Sequence, residues 1–449
     1  MLSKNEVQDI CKQILRRCGT DLAEVFISAQ DSALTRFANN SIHQNVAERN
    51  LELHVQIYLG KRRGMASTNR IEADSLDEFV ERARANAQAS PEDPDHPGPA
   101  EQSSHAEVDS FDQATASYAP KERAQEVRIV CQLAKEQDLN ASGAFSTGTR
   151  TLAVANSRGL FAYHVSTEAD FQTVVMDADA SGRAHTSSWR VADIPVKELG
   201  REAVQKAVRG RKPRKIDPGE YTVILDPYVT QDLLTMLNLF GMSARDVQDG
   251  RSWMNDRLGE EIMHPTVSVW DDGLDPKGLP AAFDVEGVPK RRIEVISEGV
   301  AKGPVYDRYT ANKDGVSSTG HAIPPGLILT GSKPIAQNLF MAPGTSSLAD
   351  MLQSTERGLY ITRFWYTRLV HPRDCVVTGM TRDGVFLVEG GEIAHAVKNL
   401  RFTQSYVRAL AEVEEISRET RLLLGSYAGI VTRVPALKIR AFNFTGVTV

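Results

Sequence analysis

Apolar residues recur at helical spacing in Val7, Ile10, Cys11, Ile14 and Cys18, which predicts a surface helix with one apolar stripe. The period then changes. "DLAEVFISAQ" and "NLELHVQIYLG" alternate apolar and polar positions, the second through Leu51, Leu53, Val55, Ile57 and Leu59, as half-buried strands do. Gly60 and Gly64 mark a hairpin turn, and "MAST" returns as the next strand. "SLDEFVERARANAQA" opens with a Ser cap and an acidic first turn, both signals of a helix start.

Ser90–Ser110 is rich in Pro, Ser and acidic residues and has no apolar face to bury, so it reads as a linker or extended surface arm. A helix follows near Lys121–Glu136, then strands joined by a hairpin turn at Asn156–Gly159, "NSRG", and a second amphipathic helix in "PVKELGREAVQKAVRG". "YTVILDP" is a buried strand. It leads into a helix within Asp232–Asp246, "DLLTMLNLFGMSARD", whose first turns are almost wholly apolar. From there strands and glycine turns dominate, interrupted by one amphipathic helix near Gln404–Leu424 and ending in the alternating "ALKIRAFNFTGVTV". The pattern predicts an α+β chain: an N-terminal α/β sandwich-like part and a large, mainly antiparallel β C-terminal domain. The divisions fall at 1–89, an acidic linker 90–110, a central α+β unit 111–216 and a C-terminal domain 217–449.

Composition narrows the function. At 449 residues the chain accommodates two or three domains with a sizeable core. A net charge of −6 argues against a dedicated nucleic-acid binder, and the basic run "RGRKPRKIDPGEY" is short enough to be a solvated turn. The four cysteines form no C-x-x-C pair, which fits a reducing cytoplasm. No window approaches 18 apolar residues and the first residues hold no signal h-region, so neither a membrane span nor secretion is predicted.

Candidate chemistry is sparse. None of the ten histidines is followed by Glu, so no H-E-x-x-H motif exists. His371, Asp374 and Cys375 cluster in "VHPRDC"; a strand entry with one buried Cys accounts for them as well as a metal or nucleophile site does. Asp271, Asp272 and Asp275 in "WDDGLDP" read either as a cation site or as an acidic turn between strands. The Gly/Pro-rich loop at Thr319–Gly326 lacks the P-loop spacing, and there is no G-x-S-x-G elbow.

Several stretches together resemble the TldD/TldE family, whose TldE member is also called PmbA and which was once described as modulators of DNA gyrase. They are "NLELHVQIYLGKRRGMASTNRIEADSLDEFVERA", "TVSVWDDGLDPKGLPAAFDVEGVP", "KPIAQNLFMAPGTSSLADML" and "VFLVEGGEIAHAVKNLRFTQS", in that order. The resemblance implies a zinc site in the TldD-like members. It is an H-E-x-x-x-H helix after the strand that opens the C-terminal domain, plus a Cys near the C-terminus, with the Glu as general base. Aligned without gaps through "GRSWMNDRLGEEI", those positions here hold Thr235, Met236 and Phe240, and the region resembling the Cys segment, "GSYAGIVTRVPALKI", has no Cys.

The resemblance therefore implies a TldE/PmbA-like subunit with no catalytic residue, metal or cofactor of its own. Zinc is expected in a TldD-like partner, and an unfolded or extended peptide is the expected substrate of the pair. The alternatives are a self-contained hydrolase using Asp271, Asp272 or His371, and a homodimeric peptide-binding protein. A nucleic-acid or gyrase-interacting factor is opposed by the charge.

Overall fold

A computed structural model describes residues 2–19, 21–324, 333–425 and 429–447. The N-terminal half is built on six antiparallel strands, β1 (Leu22–Ala38), β2 (Ser41–Leu59), β3 (Arg62–Thr68), β4 (Asn140–Asn156), β5 (Phe161–Met176) and β6 (Ser181–Ser188), in the order β3-β2-β1-β4-β5-β6. Strand alternation sends Val25, Ile27, Leu53, Val55 and Ile57 to one face, under helices α1 (Lys4–Cys18) and α2 (Ala73–Ala89). Farther along the same sheet, Phe145, Phe171 and Val175 pack beneath α4 (Pro120–Lys135) and α5 (Val196–Arg209), with the short α3 (Gln113–Ala116) beside them. The opposite face carries Phe26, Val154 and Ala162 toward Ala282 and Phe283 of the C-terminal half. The two N-terminal units thus share one continuous sheet, with β1 paired to β2 of the first and β4 of the second.

α2 starts at Ala73, and its N-cap is Glu72, three residues before Ser75, the serine that the sequence offers as a cap. Residues 90–110 have no regular secondary structure but are tied down. Asn156 Nδ2 donates to Ala100 O at 2.8 Å, and His105 Nε2 lies 2.8 Å from Gly287 O.

The C-terminal half opens with β7 (Gly219–Leu225), α6 (Pro227–Leu239) and α7 (Ala244–Gln248). Then come β8 (Val269–Asp271), β9 (Ile293–Ser297), β10 (Val300–Ala301), α8 (Arg308–Asp314), β11 (Asn338–Met341), α9 (Leu348–Gln353) and β12 (Arg357–Ile361). β13 (Phe364–His371), β14 (Val376–Thr381), β15 (Val385–Glu389), β16 (Glu392–Ala396), β17 (Leu400–Ser405), α10 (Tyr406–Ala411), β18 (Val413–Leu424) and β19 (Val431–Val447) complete it. Thirteen strands among the described residues form one sheet, antiparallel except for the pairs β7–β12 and β11–β19. The long β19 is its spine, touching β7, β11, β17 and β18.

One predicted helix dissolves. Only Tyr406–Ala411 of the Gln404–Leu424 segment is helical, and the rest is β17's end and β18. "VEEISRETRLLL" fits either period, and pairing of Val413–Leu424 with Val431–Ile439 of β19 decides for strand.

Candidate functional site

α6 is set up by its first residues. Asp226 caps it, with its carboxylate facing the Tyr228 N–H at 3.4 Å, and Pro227 occupies the first turn. Leu233, Leu234, Met236 and Leu237 then enter the core, while Tyr228, Gln231, Asp232 and Thr235 recur on the other face. That face and β13 bound a cleft of about 430 Å³, which Arg183 of β6 also lines.

A buried network holds the cleft's floor. Lys206 Nζ donates to Glu202 Oε1 at 2.7 Å and to Asp226 Oδ2 at 3.0 Å, and Tyr360 Oη donates to Asp226 Oδ2 at 2.8 Å. Arg421 Nη1 reaches Glu202 Oε2 at 2.8 Å. Burial alone would depress the Lys206 ammonium, but Asp226 and Glu202 outweigh it and hold the group well above its ordinary range. α5 of the N-terminal half is thereby locked to α6 and β18.

Asp232 is the carboxylate inside the cleft. Thr367 Oγ1 donates to its Oδ1 and Tyr406 Oη to its Oδ2, each at 2.8 Å. Burial pushes it up to about 6, with those two hydrogen bonds pulling the other way. Arg363 pairs with Asp383 at 2.6 Å and its guanidinium lies over the Trp365 ring, as does that of Arg382. Trp365 and Tyr366 stay 41% and 63% exposed at the cleft mouth, although aromatic rings usually seek cover.

The three positions aligned with the metal motif separate. Thr235 lines the cleft, Met236 points into the core, and Phe240 is a half-buried residue past the end of α6, with Lys333 Nζ 6.0 Å from its ring centre. A hydroxyl, a buried thioether and a phenyl ring are not the donor set of a catalytic zinc. Cys375 is fully buried and its thiol is raised by burial and then by Asp232, so it is an inert thiol.

The other candidates resolve locally. Asp271 is fully buried against His321 Nε2 at 2.9 Å and accepts the Asn338 N–H at 2.6 Å. Asp272 and Asp275 accept from Leu274 and Lys277 N–H groups, forming turns. His371 is exposed, 3.5 Å from Asp374, which also pairs with Arg257 at 3.1 Å. Asp271 and His371 are on β8 and β13, strands that are not neighbours in the sheet. Among the described residues no three His, Cys, Asp or Glu side chains are grouped to hold a metal ion. The loop at Thr319–Gly326 supplies His321, and its Pro325 and Gly326 lie outside the described residues. The basic run includes Arg211, paired to Asp177 at 2.6 Å.

Sequence reasoning singled out neither Asp232 nor Arg183. A charged residue inside an otherwise apolar helix, three positions before Thr235, was the available signal for the first. Arg183 carries no local signal, since only the packing of β6 against α6 brings it to the cleft.

Models of the PmbA/TldA metallopeptidase match the chain in three consecutive parts: domain 1 at residues 23–87, the central domain at 101–211 and the C-terminal domain at 218–446. The chain belongs to the PmbA/TldD metallopeptidase family. It is 24% identical over 433 residues to a Haemophilus influenzae metalloprotease PmbA homolog, covering 90% of this chain and 92% of that one. It is 25% identical over 232 residues to a Methanothermobacter thermautotrophicus metalloprotease, where the match spans 51% of this chain and only 50% of the relative's length.

The fold is that of TldE from Thermococcus kodakarensis, with a TM-score of 0.87 at 20% identity over 97% of this chain and 100% of that one. A Thermotoga maritima protein described as a modulator of a DNA gyrase gives 0.85 at 20% identity over 98% and 100%. Among the described residues no helix is long and apolar enough to cross a membrane.

Proposed function

We propose that this chain is the non-catalytic, TldE/PmbA-like subunit of a TldD/TldE-type metalloprotease that acts on unfolded peptides or a peptide precursor. One observation carries the reading. The helix after β7, where the family's zinc motif belongs, offers Thr235, Met236 and Phe240, and only Thr235 reaches the cleft. Zinc catalysis needs three protein ligands with an open position and a base on the bound water, so these residues supply neither part. The zinc belongs to a TldD-like partner. This subunit contributes the cleft beside α6, where β13 has β14 as its only strand neighbour among the described residues and offers its other edge to an extended peptide through main-chain hydrogen bonds.

The test is metal content of the tag-free chain by mass spectrometry, with peptidase activity measured on the same sample alone and with a TldD-like subunit. The expected result is no stoichiometric zinc and no cleavage alone, with chelator-sensitive cleavage once the partner is added. One zinc per chain with cleavage by the chain alone overturns the reading.

A further inference from the structure

The cleft lining carries a positive charge that forms no close ion pair among the described residues. Arg183 donates to Gln172 Oε1 at 3.4 Å and its guanidinium lies 5.8 Å from the centre of the Tyr228 ring, and among the described residues it forms no ion pair. The carboxylates around it are already engaged. Asp383 is held by Arg363 at 2.6 Å and by Ser181 Oγ at 2.7 Å. Asp170 is held by His185 Nε2 at 2.7 Å and by Ser187 Oγ at 2.6 Å. Asp232 takes its two hydrogen bonds from Thr367 and Tyr406.

Burial, and then the neighbouring Arg363, lower Arg183 to about 10, the direction expected of a half-buried guanidinium beside a like charge. A guanidinium has five N–H donors in a planar fork, and one long bond to Gln172 leaves most of them unused. The guanidinium is half-buried at the cleft, so its unused donors remain within reach of a ligand.

We infer that Arg183 anchors a carboxylate subsite in the α6–β13 cleft, which takes a carboxylate of an extended peptide. The inference rests on the peptide-binding part of the function proposed above. A planar carboxylate matches the fork two bonds to two. A peptide is favoured over a free anion because of what surrounds Arg183. The register of β13 against β14 breaks between Trp365 and Arg368, and Tyr366 sits there at φ 55°, a conformation costly for a side chain of that size. The break leaves Trp365 and Tyr366 standing exposed beside the strand edge, where they offer apolar contact to residues flanking the carboxylate. Arg368, exposed and resting over the Tyr366 ring, adds positive charge at the mouth.

The carboxylate comes either from a peptide C-terminus or from an Asp or Glu side chain. Fluorescence anisotropy with four labelled unstructured peptides of one sequence distinguishes them: free or amidated C-terminus, each with Glu or Gln at a central position. The full chain should bind at least one carboxylate form roughly tenfold or more tighter than the amidated Gln form, the range of a charged hydrogen bond. The pattern names the source. R183M should abolish that preference, R183K should keep part of it, and both should melt near the native temperature.

Equal binding of all four peptides overturns the subsite and leaves peptide binding intact. Binding of none overturns both. A preference that survives R183M overturns the role of Arg183.

Discussion

Tyr406 Oη and Asp232 Oδ2 are joined by a 2.8 Å hydrogen bond that links α10 to the cleft face of α6. Burial raises Asp232 from 3.8 to about 6 in the folded chain. The folded state therefore holds this proton more tightly than the unfolded state. Its contribution to stability is full below about pH 4 and is lost as pH rises through about 6. D232N removes the titration. The stability of D232N relative to the native chain should thus rise between pH 4 and pH 8. The change should be about 2 kcal/mol, less than the full shift would give because the cleft admits solvent. Denaturant unfolding of both proteins at the two pH values measures it, and a pH-independent difference would show that Asp232 titrates normally.

Asp271 and His321 behave differently because each is the other's buried hydrogen-bond partner. Both are fully buried, and Asp271 also accepts the Asn338 N–H, which joins β8, β11 and the 319–324 loop. Burial raises the Asp271 carboxyl but His321 outweighs it, so the group ends below its ordinary range. H321A strands a buried carboxylate and should cost about 3–5 kcal/mol. D271N/H321A, which also removes the stranded carboxylate, should recover part of that loss. A double-mutant cycle in which the double variant is as unstable as the sum of the singles would deny the coupling.

Much of the fold was legible in periodicity, and the reasons differ by element. α1 and the strand Leu51–Leu59 bury the residues that their spacing predicts, because those residues share the face that packs into the N-terminal core. Val413–Leu424 was misread as helix because its pairing partner lies beyond it in the chain, and long-range pairing leaves no mark on local period. Thr235, Met236 and Phe240 could be placed by alignment alone, but which of them meets the cleft depends on how α6 rotates against the core. The arm at 90–110 looked like a linker by composition. Its anchoring comes from backbone groups and from Glu24, Asn156 and Arg308, all distant in sequence.

Gly241 and Trp253 meet in the C-terminal core. Trp253 is fully buried and donates from Nε1 to Leu237 O at 2.9 Å, and a Cβ built on Gly241 would stand 2.2 Å from its ring. No flexible side-chain end is available to yield there, so the indole must move and lose its bond. G241A should cost about 1–3 kcal/mol by overpacking. W253F, which makes room, should be less damaged by the added methyl, so G241A/W253F should be more stable than additivity predicts. Thermal unfolding of the three variants tests this.

Arg308 straps the arm at residues 90–110 to both halves of the molecule. Its guanidinium reaches Gly98 O and lies 3.6 Å from Glu24 Oε2, while Glu24 also accepts the Ala100 N–H at 3.2 Å. Glu24 is pushed up to about 7, chiefly by burial and against the pull of Arg308. Removing Arg308 therefore withdraws a carbonyl's donor and the cation that offsets a buried carboxylate. R308A should loosen the arm by about 1.5 kcal/mol, the scale of a hydrogen bond to a charged group, and speed proteolytic cleavage within residues 93–108 roughly tenfold. E24Q on that background removes the uncompensated charge while keeping an acceptor for Ala100, so R308A/E24Q should be cleaved more slowly than R308A. Mass mapping of limited digests locates the cuts. Cleavage at the native rate in R308A would mean that the bonds from Asn156 and His105 hold the arm without the strap.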